Sequence, residues 1–578
     1  MRRSTRYNRP GLSGSSRSAM LLSADGDGST LTLDFTTGIL DPRLTFERLS
    51  SATFINSSGF VQYANHNLFR NTAWLTSTTP TAWNVTFGTG TTTWNNDGSV
   101  TMTAGGSSVR PCINHQTTTV SQGLPMTFGY RATNVTGSPQ IFQVIESNNV
   151  GQTFAINGVT VASSAVVTSG DVVSCTFTPA SGSVAVRIGP GSPVAVTNMS
   201  VTASRPQWNY GTTLQQYQQN TSTTAELQSP RFDYDPVTNA AKGLLIEGAS
   251  TNLIRHSSAP QSWSGAVSGT TITSGSGFAP DNVSTPQQLA MTSGGFCYQL
   301  TSTTNVAGTY TYSVWLKASS NQSVGIRVCR TSDGSVKGMI TASVTTQWQR
   351  FEVQVTTNAT DQIDGGFDQR NIPPSVPGPG VAATFLMWNA QLEAGAGASS
   401  AIPTGASAVT RTADFCVMTG TNFSSWYQGG TQGTFYADWF GGVRTGASGS
   451  TNRTVLSTDD VSTKHLHLLQ TAAAGNLRVA DFGGVNNVTT ANTLTSGART
   501  KGAFGYNGSS ASVCLNGGTV ATGSSLAFSV TPTWLVLGAT STNGTSLTDA
   551  NVVLNNSIRQ IKYWPTRLPD STIQSITL

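Results

Sequence analysis

Carboxylates and cations crowd together in "PRFDYDPVTNAAKGLLIEGASTNLI", residues 230 to 254, where Arg231, Asp233, Asp235, Lys242 and Glu247 fall close together in a chain with only 10% charged residues. Such a set could supply the acid and base of a hydrolase, which needs one carboxyl held protonated beside one left ionised. The neighbouring residues favour another use of charge. Pro230 and Pro236 stiffen the backbone, while Gly243 and Gly248 bracket "LLIE", a short apolar strand suited to lie against the next domain. The charges then read as local salt bridges and turn caps.

A second group, Asp361, Asp364 and Asp368 in "TDQIDGGFDQR", admits three readings: a catalytic pair, a calcium or other structural ion site, or a solvated loop. Asp459 and Asp460 admit the same three. His465 and His467 would share one face of a strand, which alone is thin ground for a metal. The six cysteines, at 112, 175, 297, 329, 416 and 514, form no close pair and read as buried thiols in a reducing compartment. Neither a GxSxG elbow nor a GxxxxGK[ST] loop occurs. The chain therefore reads as non-enzymatic, with no catalytic residue, no metal and no cofactor.

The elements available to position side chains are strands. Period-2 alternation recurs throughout, as in "YTYSVWLKA" (310 to 318), "SVGIRVC" (323 to 329) and "QRFEVQV" (349 to 355). Asn157-Gly158, Asp97-Gly98, Asp333-Gly334 and Asn516-Gly517 offer the positive φ angles of tight hairpins. A chain of 578 residues exceeds one hydrophobic core and suggests roughly four units. With 37% hydrophobic residues and twelve Trp it is no disordered chain. The fold class is all-β: a multidomain string of β-sandwich or jelly-roll domains behind a flexible basic N-terminal arm.

That arm holds five Arg before the first acid, Asp25, and accounts for much of the net charge of +5. It reads either as an unstructured tail or as a docking segment for nucleic acid or an acidic protein surface. No signal-peptide core and no stretch near the ~20 apolar residues of a membrane span is seen, so a soluble protein without a secretory signal is expected. "NLFRNTAW" (67 to 74) and "NLIRHSSA" (252 to 259) are a faint internal repeat, each opening a run of strands.

Alternation also selects a candidate binding face. With Val314, Ile326, Val328, Phe351 and Val353 in a core, Trp315, Lys317, Arg327, Trp348, Arg350 and Glu352 take the opposite face. Flat aromatics stack on sugar rings while Arg and Glu hydrogen-bond hydroxyls, which makes this set a candidate glycan site. The competing reading is packing against a neighbouring domain or subunit. Trp74, Trp83 and Trp94 lie in a turn-rich stretch that leaves their direction open. Trp426, Tyr436 and Trp439 suit a rim of the last sandwich, Trp534 and Trp564 its core.

Three stretches carry a resemblance: "LTLDFTTGILDPRLTFERLSSATFINSSGFV" (31 to 61), "PRFDYDPVTNAAKGLLIEGASTNLI" (230 to 254) and "WNAQLEAGAGASSAIPTGASAVTRTADFC" (388 to 416). Together they resemble tailed-bacteriophage virion appendage proteins, tail-fibre-like, with carbohydrate-binding-module-like jelly rolls. "FGYNGSSASVCLNGG" and "IRQIKYWPTRLPDSTIQSITL" look like the concanavalin A-like, laminin-G-type domain that often ends such proteins. In that family the first stretch runs almost directly into the second, so the long segment between Gly59 and Arg231 reads as an insertion, tolerated where its two ends lie close together.

The resulting division is a basic arm (1–30), a virion-proximal segment (31–66), an inserted jelly roll (67–205), a connector (206–251), a second, carbohydrate-binding-module-like sandwich (252–396), a linker (397–415) and a concanavalin A-like sandwich (416–578). The resemblance implies a virion protein assembled in the host bacterial cytoplasm and exposed on the particle. It would bind other virion proteins through its N-terminal region and host-surface polysaccharide or lipopolysaccharide through its sandwiches, without sequence-specific nucleic acid. Weak sites gain from multiple copies, and the family suggests a homotrimer. The alternatives are a capsid decoration or head fibre, and a glycan-degrading tailspike.

Overall fold

Strand alternation organises the computed structural model, which describes residues 26–578 except 87–89, 107–110, 143–149, 192–196, 302–306, 359–361, 428–430, 442–451, 460–465, 472–474, 481–486, 496, 525 and 527–531. Residues 1–25, with all five Arg of the basic arm, and Asp361, Asp460 and His465 lie outside the described residues, as does the side chain of His467. The architecture is all-β, in three sandwiches with separate hydrophobic cores. Among the described residues no helix is long and apolar enough to cross a membrane.

The inserted sandwich sets a seven-stranded sheet, centred on Met126–Thr136 and Thr197–Tyr210, against a four-stranded one. Trp74, Trp83, Trp94 and Trp208 are all buried, and Trp74 meets Trp83 and Trp94 edge to face at 5.1 and 5.4 Å. The turn-rich stretch therefore folds inward as core. Its last strand runs to Tyr210, five residues beyond the boundary drawn at 205.

In the second sandwich Gly308–Lys317, Gln349–Thr357 and Ala383–Ala394 form one layer, and Gln322–Arg330, Val336–Val344 and Ile363–Asp368 the other. The strand Gln287–Leu300 serves both, pairing with Ala383–Ala394 through its first half and with Ile363–Asp368 through its second. Tyr312, Val314, Ile326, Val328 and Phe367 fill the space between.

The last sandwich departs most from the division by sequence. Leu31–Asp34 and the connector strand Ala241–Ile246 both pair with Asn556–Trp564, and Thr45–Glu47 pairs with Phe415–Thr419. Leu31, Leu33, Phe35, Leu244 and Ile246 belong to its core. The expected virion-proximal segment and connector are thus strands of the C-terminal domain. Gly243 shows how tightly the connector lies, since a Cβ there would fall 2.1 Å from the Ile558 carbonyl oxygen. Trp426, Tyr436 and Trp439, expected at a rim, are buried: Trp426 and Trp439 belong to the sandwich core, and Tyr436, on the other face of the interior strand Gln432–Phe440, packs with Ile573 of the C-terminal helix Asp570–Ile576.

The internal repeat is structural. Asn67 Oδ1 accepts the Phe69 and Trp208 amides, and its Nδ2 donates to the Pro206 and Gln218 carbonyls. Asn252 makes the same four bonds to the Ile254 and Leu392 amides and the Ala390 and Ile402 carbonyls. Each buried amide ties the first residues of a sandwich to its last strand, with every donor and acceptor of the side chain used.

The two ends of the insertion meet: His66–Asn67 pairs antiparallel with Leu227–Gln228, and the Ser229 amide donates to the Asn65 carbonyl at 2.9 Å. Joining residue 65 to residue 229 with the intervening sandwich deleted is therefore expected to leave the other two domains cooperatively folded. Thermal unfolding followed by near-ultraviolet circular dichroism checks this; loss of the folded signal from the remaining Trp would count against it.

Candidate functional site

The six residues of the candidate glycan face do not come together. Trp315 is 8% exposed and forms an apolar cluster with Trp388, Ala279, Val61 and Ala401, with Ile55 and Trp348 at its edge. Val61 and Ile55 come from the hairpin Thr53–Ile55 and Val61–Tyr63, so the aromatic face is covered by the N-terminal segment. Trp348 donates its indole N–H to the Phe278 carbonyl. Arg350 donates to the Ser399 carbonyl at 2.6 Å and the Ser313 hydroxyl at 2.9 Å, and Glu352 accepts the Ala398 amide. Lys317 is half-buried at the end of the same strand. This face packs against neighbouring segments of its own chain.

Arg327 stands apart because its strand belongs to the other layer, and outward faces of two stacked sheets point away from each other. There it joins residues that alternation brings onto one surface: Phe296 and Tyr298 on Gln287–Leu300, and Asp364 and Asp368 on Ile363–Asp368. Arg327 Nη1 donates to Asp368 Oδ2 at 2.9 Å, and its Nη2 lies 3.8 Å from Asp364 Oδ1. Its guanidinium carbon sits 4.7 Å from the Tyr298 ring centre, a cation–π distance.

Asp368 is fully buried and also holds Arg370 through both carboxylate oxygens, at 2.9 and 2.6 Å. Arg370 in turn lies 4.4 Å from the Phe296 ring centre and keeps 28% of its side chain exposed. The Phe296 and Tyr298 rings stack at 6.3 Å and 23°, both half-buried. Gly366 pairs with Tyr298 on one side and Arg327 on the other, and a Cβ there would fall 2.2 Å from the Cys297 carbonyl oxygen. The glycine lets the Tyr298 backbone pack closely there, with the Arg327 guanidinium against the Tyr298 ring.

Asp364 is 2% exposed, and its Oδ1 has no hydrogen-bond partner. Burial pushes its carboxyl up to about 6, with Arg327 opposing. The surface therefore offers two half-buried aromatic rings and the part-exposed Arg370 guanidinium locked by a bidentate carboxylate, above a buried layer of Arg327, Asp364 and Asp368. Preorganised donors beside flat rings suit a hydroxylated ring ligand. The sequence held the signal: Phe296 and Tyr298 flank the core residue Cys297, at the parity that places Arg327 and Asp368 outward. Separating the layers required knowing which strands pair. Among the described residues no group of His, Cys, Asp and Glu is arranged to hold a metal ion.

No family model matches the sequence, and no curated protein matches it. Among solved structures the chain is similar to domain 4 of AbnA, a GH43 extracellular arabinanase from Geobacillus stearothermophilus, in complex with arabinotriose. That match has 13% identity and a TM-score of 0.23, over 32% of this chain and 82% of that one. It is also similar to the CBM22 tandem of Paenibacillus barcinonensis Xyn10C, with 9% identity and a TM-score of 0.19, over 57% of this chain and 97% of that one. Domains LG4-5 of the mouse laminin alpha1 chain match with 10% identity and a TM-score of 0.17, over 48% of this chain and 92% of that one.

Two outcomes follow from the geometry. Trp315→Ala empties the interior of the hairpin junction and is expected to cost about 3–5 kcal/mol of stability in urea unfolding, with glycan binding by the folded protein unchanged. Asp364 titrates near 6 when folded against an ordinary value of 3.8, so between about pH 4 and 6 the folded chain holds a proton that the unfolded chain has lost. Stability attributable to this group falls as pH rises through that window and stays lost above it, by on the order of 2–3 kcal/mol. Asp364→Asn is then expected to be the more stable protein at pH 7 and to flatten the difference curve between pH 4 and 6. Equal stabilities at pH 7 would contradict the assignment.

Proposed function

We propose that the chain is a non-enzymatic structural protein of a tailed-bacteriophage particle, a tail fibre or related appendage, which contacts host-surface glycan through its sandwiches. The surface of Phe296, Tyr298, Arg327 and Arg370 carries the glycan part of this reading: two stacked rings with a guanidinium fixed against each. The bacteriophage part is supported by the resemblance of residues 31–61, 230–254 and 388–416. Homotrimeric assembly would present several such surfaces, and linked sites raise avidity by about 10² to 10⁴ over one.

The placement of Arg327 supports a binding role over a glycan-degrading one. Its guanidinium lies between Asp364 and Asp368, where a scissile glycosidic oxygen would have to sit between acid and base. A capsid decoration or head fibre would use the same modules for assembly, and labelling the protein on intact particles separates tail from head.

Tyr298→Ala and Phe296→Ala remove half-buried rings without opening a core. Each is expected to weaken binding to host polysaccharide roughly tenfold, the effect of losing one aromatic contact and its buried area. Glycan-array and surface-plasmon measurements on the full chain provide the check, with unchanged affinity in both variants counting against the reading.

A further inference from the structure

A cleft of about 600 Å³ opens where the N-terminal hairpin, the inserted sandwich and the second sandwich meet. It lies away from the surface around Arg327 and shares none of its residues. Volumes of ~300–1,000 Å³ at domain junctions are typical of small-ligand sites. Its walls are held by backbone contacts between modules. The Val61 amide donates to the Pro280 carbonyl at 2.9 Å, and the Ala406 amide to the Gln122 carbonyl at 3.1 Å. Gly123 and Gly405 both line the cleft, and their lack of side chains permits this approach, since a Cβ on Gly405 would fall 1.7 Å from the Gln122 carbonyl oxygen.

The chemistry of the lining is specific. Tyr63 from the hairpin stacks on Tyr210 from the inserted sandwich at 5.5 Å and 26°, and Trp388 adds a third ring from the second sandwich. Trp388 is fixed by its indole N–H donating to the Ser284 hydroxyl at 3.1 Å. Burial, with Tyr210 and Asp281 nearby, pushes the Tyr63 hydroxyl well above its ordinary value, so that it stays a protonated donor. Half of the other lining residues are Ser, Thr, Asn and Gln.

Charge excludes two ligand classes. Among the described residues no Lys or Arg lines the cleft, and Asp281 is its one carboxylate. Asp281 already accepts the Val283 and Ser284 amides and the Ser284 hydroxyl. His256 is held below its ordinary value by burial and by Arg255, and so contributes a neutral ring at pH 7. An anionic sugar would lose hydration beside Asp281 with no cation to receive it, and a cationic ligand would find its one counter-charge already engaged. A neutral, hydroxyl-rich ring ligand meets neither penalty.

We infer that this three-module cleft is a second glycan site, selective for uncharged oligosaccharide of one to three rings, stacked on the tyrosine pair and hydrogen-bonded by the Tyr63 hydroxyl and the amide and hydroxyl side chains around it. A bound sugar touches all three modules, and so clamps their orientation.

The test uses the full chain in the Tyr298→Ala background, which disables the other surface, and titrates maltotriose, lactose and α-mannobiose by calorimetry, with galacturonic acid disaccharide as the acidic control. Thr213 is exposed at the cleft, and Thr213→Trp fills it without touching a core. Saturable binding near one sugar per chain is expected for at least one neutral probe, with a raised melting temperature, and both effects vanish in Tyr298→Ala/Thr213→Trp. Tyr63→Phe, which keeps the stack, should weaken binding roughly fivefold, the fold-change of one net hydrogen bond. Absence of binding by every neutral probe, binding indifferent to Thr213→Trp, or preference for the acidic control would each overturn the inference. Failure of the Arg327 surface is read separately, as equal glycan affinity in Thr213→Trp and Tyr298→Ala/Thr213→Trp.

Discussion

One buried ion network holds this chain's segments in register. Arg231 bonds Glu247 at 2.6 Å and also Asp414; Asp414 bonds Arg48 at 2.9 Å; Glu247 bonds Arg411. All five side chains are at most 4% exposed. Arg48 comes from the N-terminal segment, Arg231 and Glu247 from the connector, Arg411 and Asp414 from the stretch after the second sandwich. Ions this deep in a low-dielectric interior lose several kcal/mol of hydration each, and only complete pairing offsets the loss. Here the pairing is near complete. Glu247 also accepts the Ser400 amide and hydroxyl, Arg48 donates to the Ser50 and Ser229 carbonyls, and Arg231 to the Thr53 carbonyl. Such a network is satisfied in one arrangement of the segments and leaves orphaned charge in any other.

The same constraint explains how the chain accommodates two sandwiches between the strands of a third. Residues 31–47, 232–246 and 415–578 build one domain from pieces separated by long excursions. Each excursion leaves and returns beside the network: the inserted sandwich between Asn65 and Ser229, the second between Ser250 and Arg411, whose strands pair directly. Glu393 extends the network into the second sandwich through Ser250, Ser399 and Gln391. An excursion whose ends are pinned a strand's width apart adds little closure entropy beyond its own folding. The composite domain therefore acts as a frame, and the two jelly rolls are modules mounted on it.

Much of this was legible in the sequence and some was not, for a physical reason. Alternation gave the faces of single strands: Val314, Ile326, Val328 and Val353 lie in the core as their parity requires. The hairpin at Asn157-Gly158 has both residues at positive φ, as does Asn516-Gly517. The repeat at Asn67 and Asn252 marked the start of each jelly roll. Parity says nothing about which strands share a layer, and so Arg327 was grouped with Trp315 although their strands face opposite ways. The charges of residues 231–247 read as local salt bridges and turn caps, and Arg231–Glu247 and Lys242–Asp233 are such pairs; what the sequence does not show is that Asp414, Arg411 and Arg48 join them from far along the chain. Only Asp235, which accepts the Val237 and Thr238 amides, is the local turn cap that reading described; Asp233 receives the Ile55 amide from the N-terminal hairpin.

The distribution of charge bears on recognition. With only 10% charged residues, the chain places Arg48, Arg231, Arg327, Arg411 and Arg453 in its interior, together with Asp364, Asp368, Asp414, Glu247 and Glu393. Ion pairing here stabilises segment junctions, where salt screens weakly, and leaves much of the outer surface to Ser, Thr, Asn and Gly. Over the described residues such a surface is sparsely charged and steers charged partners weakly. It presents hydroxyls and amides whose individual bonds are weak against water, so affinity must come from aromatic surface and repeated sites. Aromatic surface is largely confined to cores, and the half-buried ring pairs Phe296–Tyr298 and Tyr63–Tyr210 lie beside polar groups, the combination on which both proposed glycan sites rest.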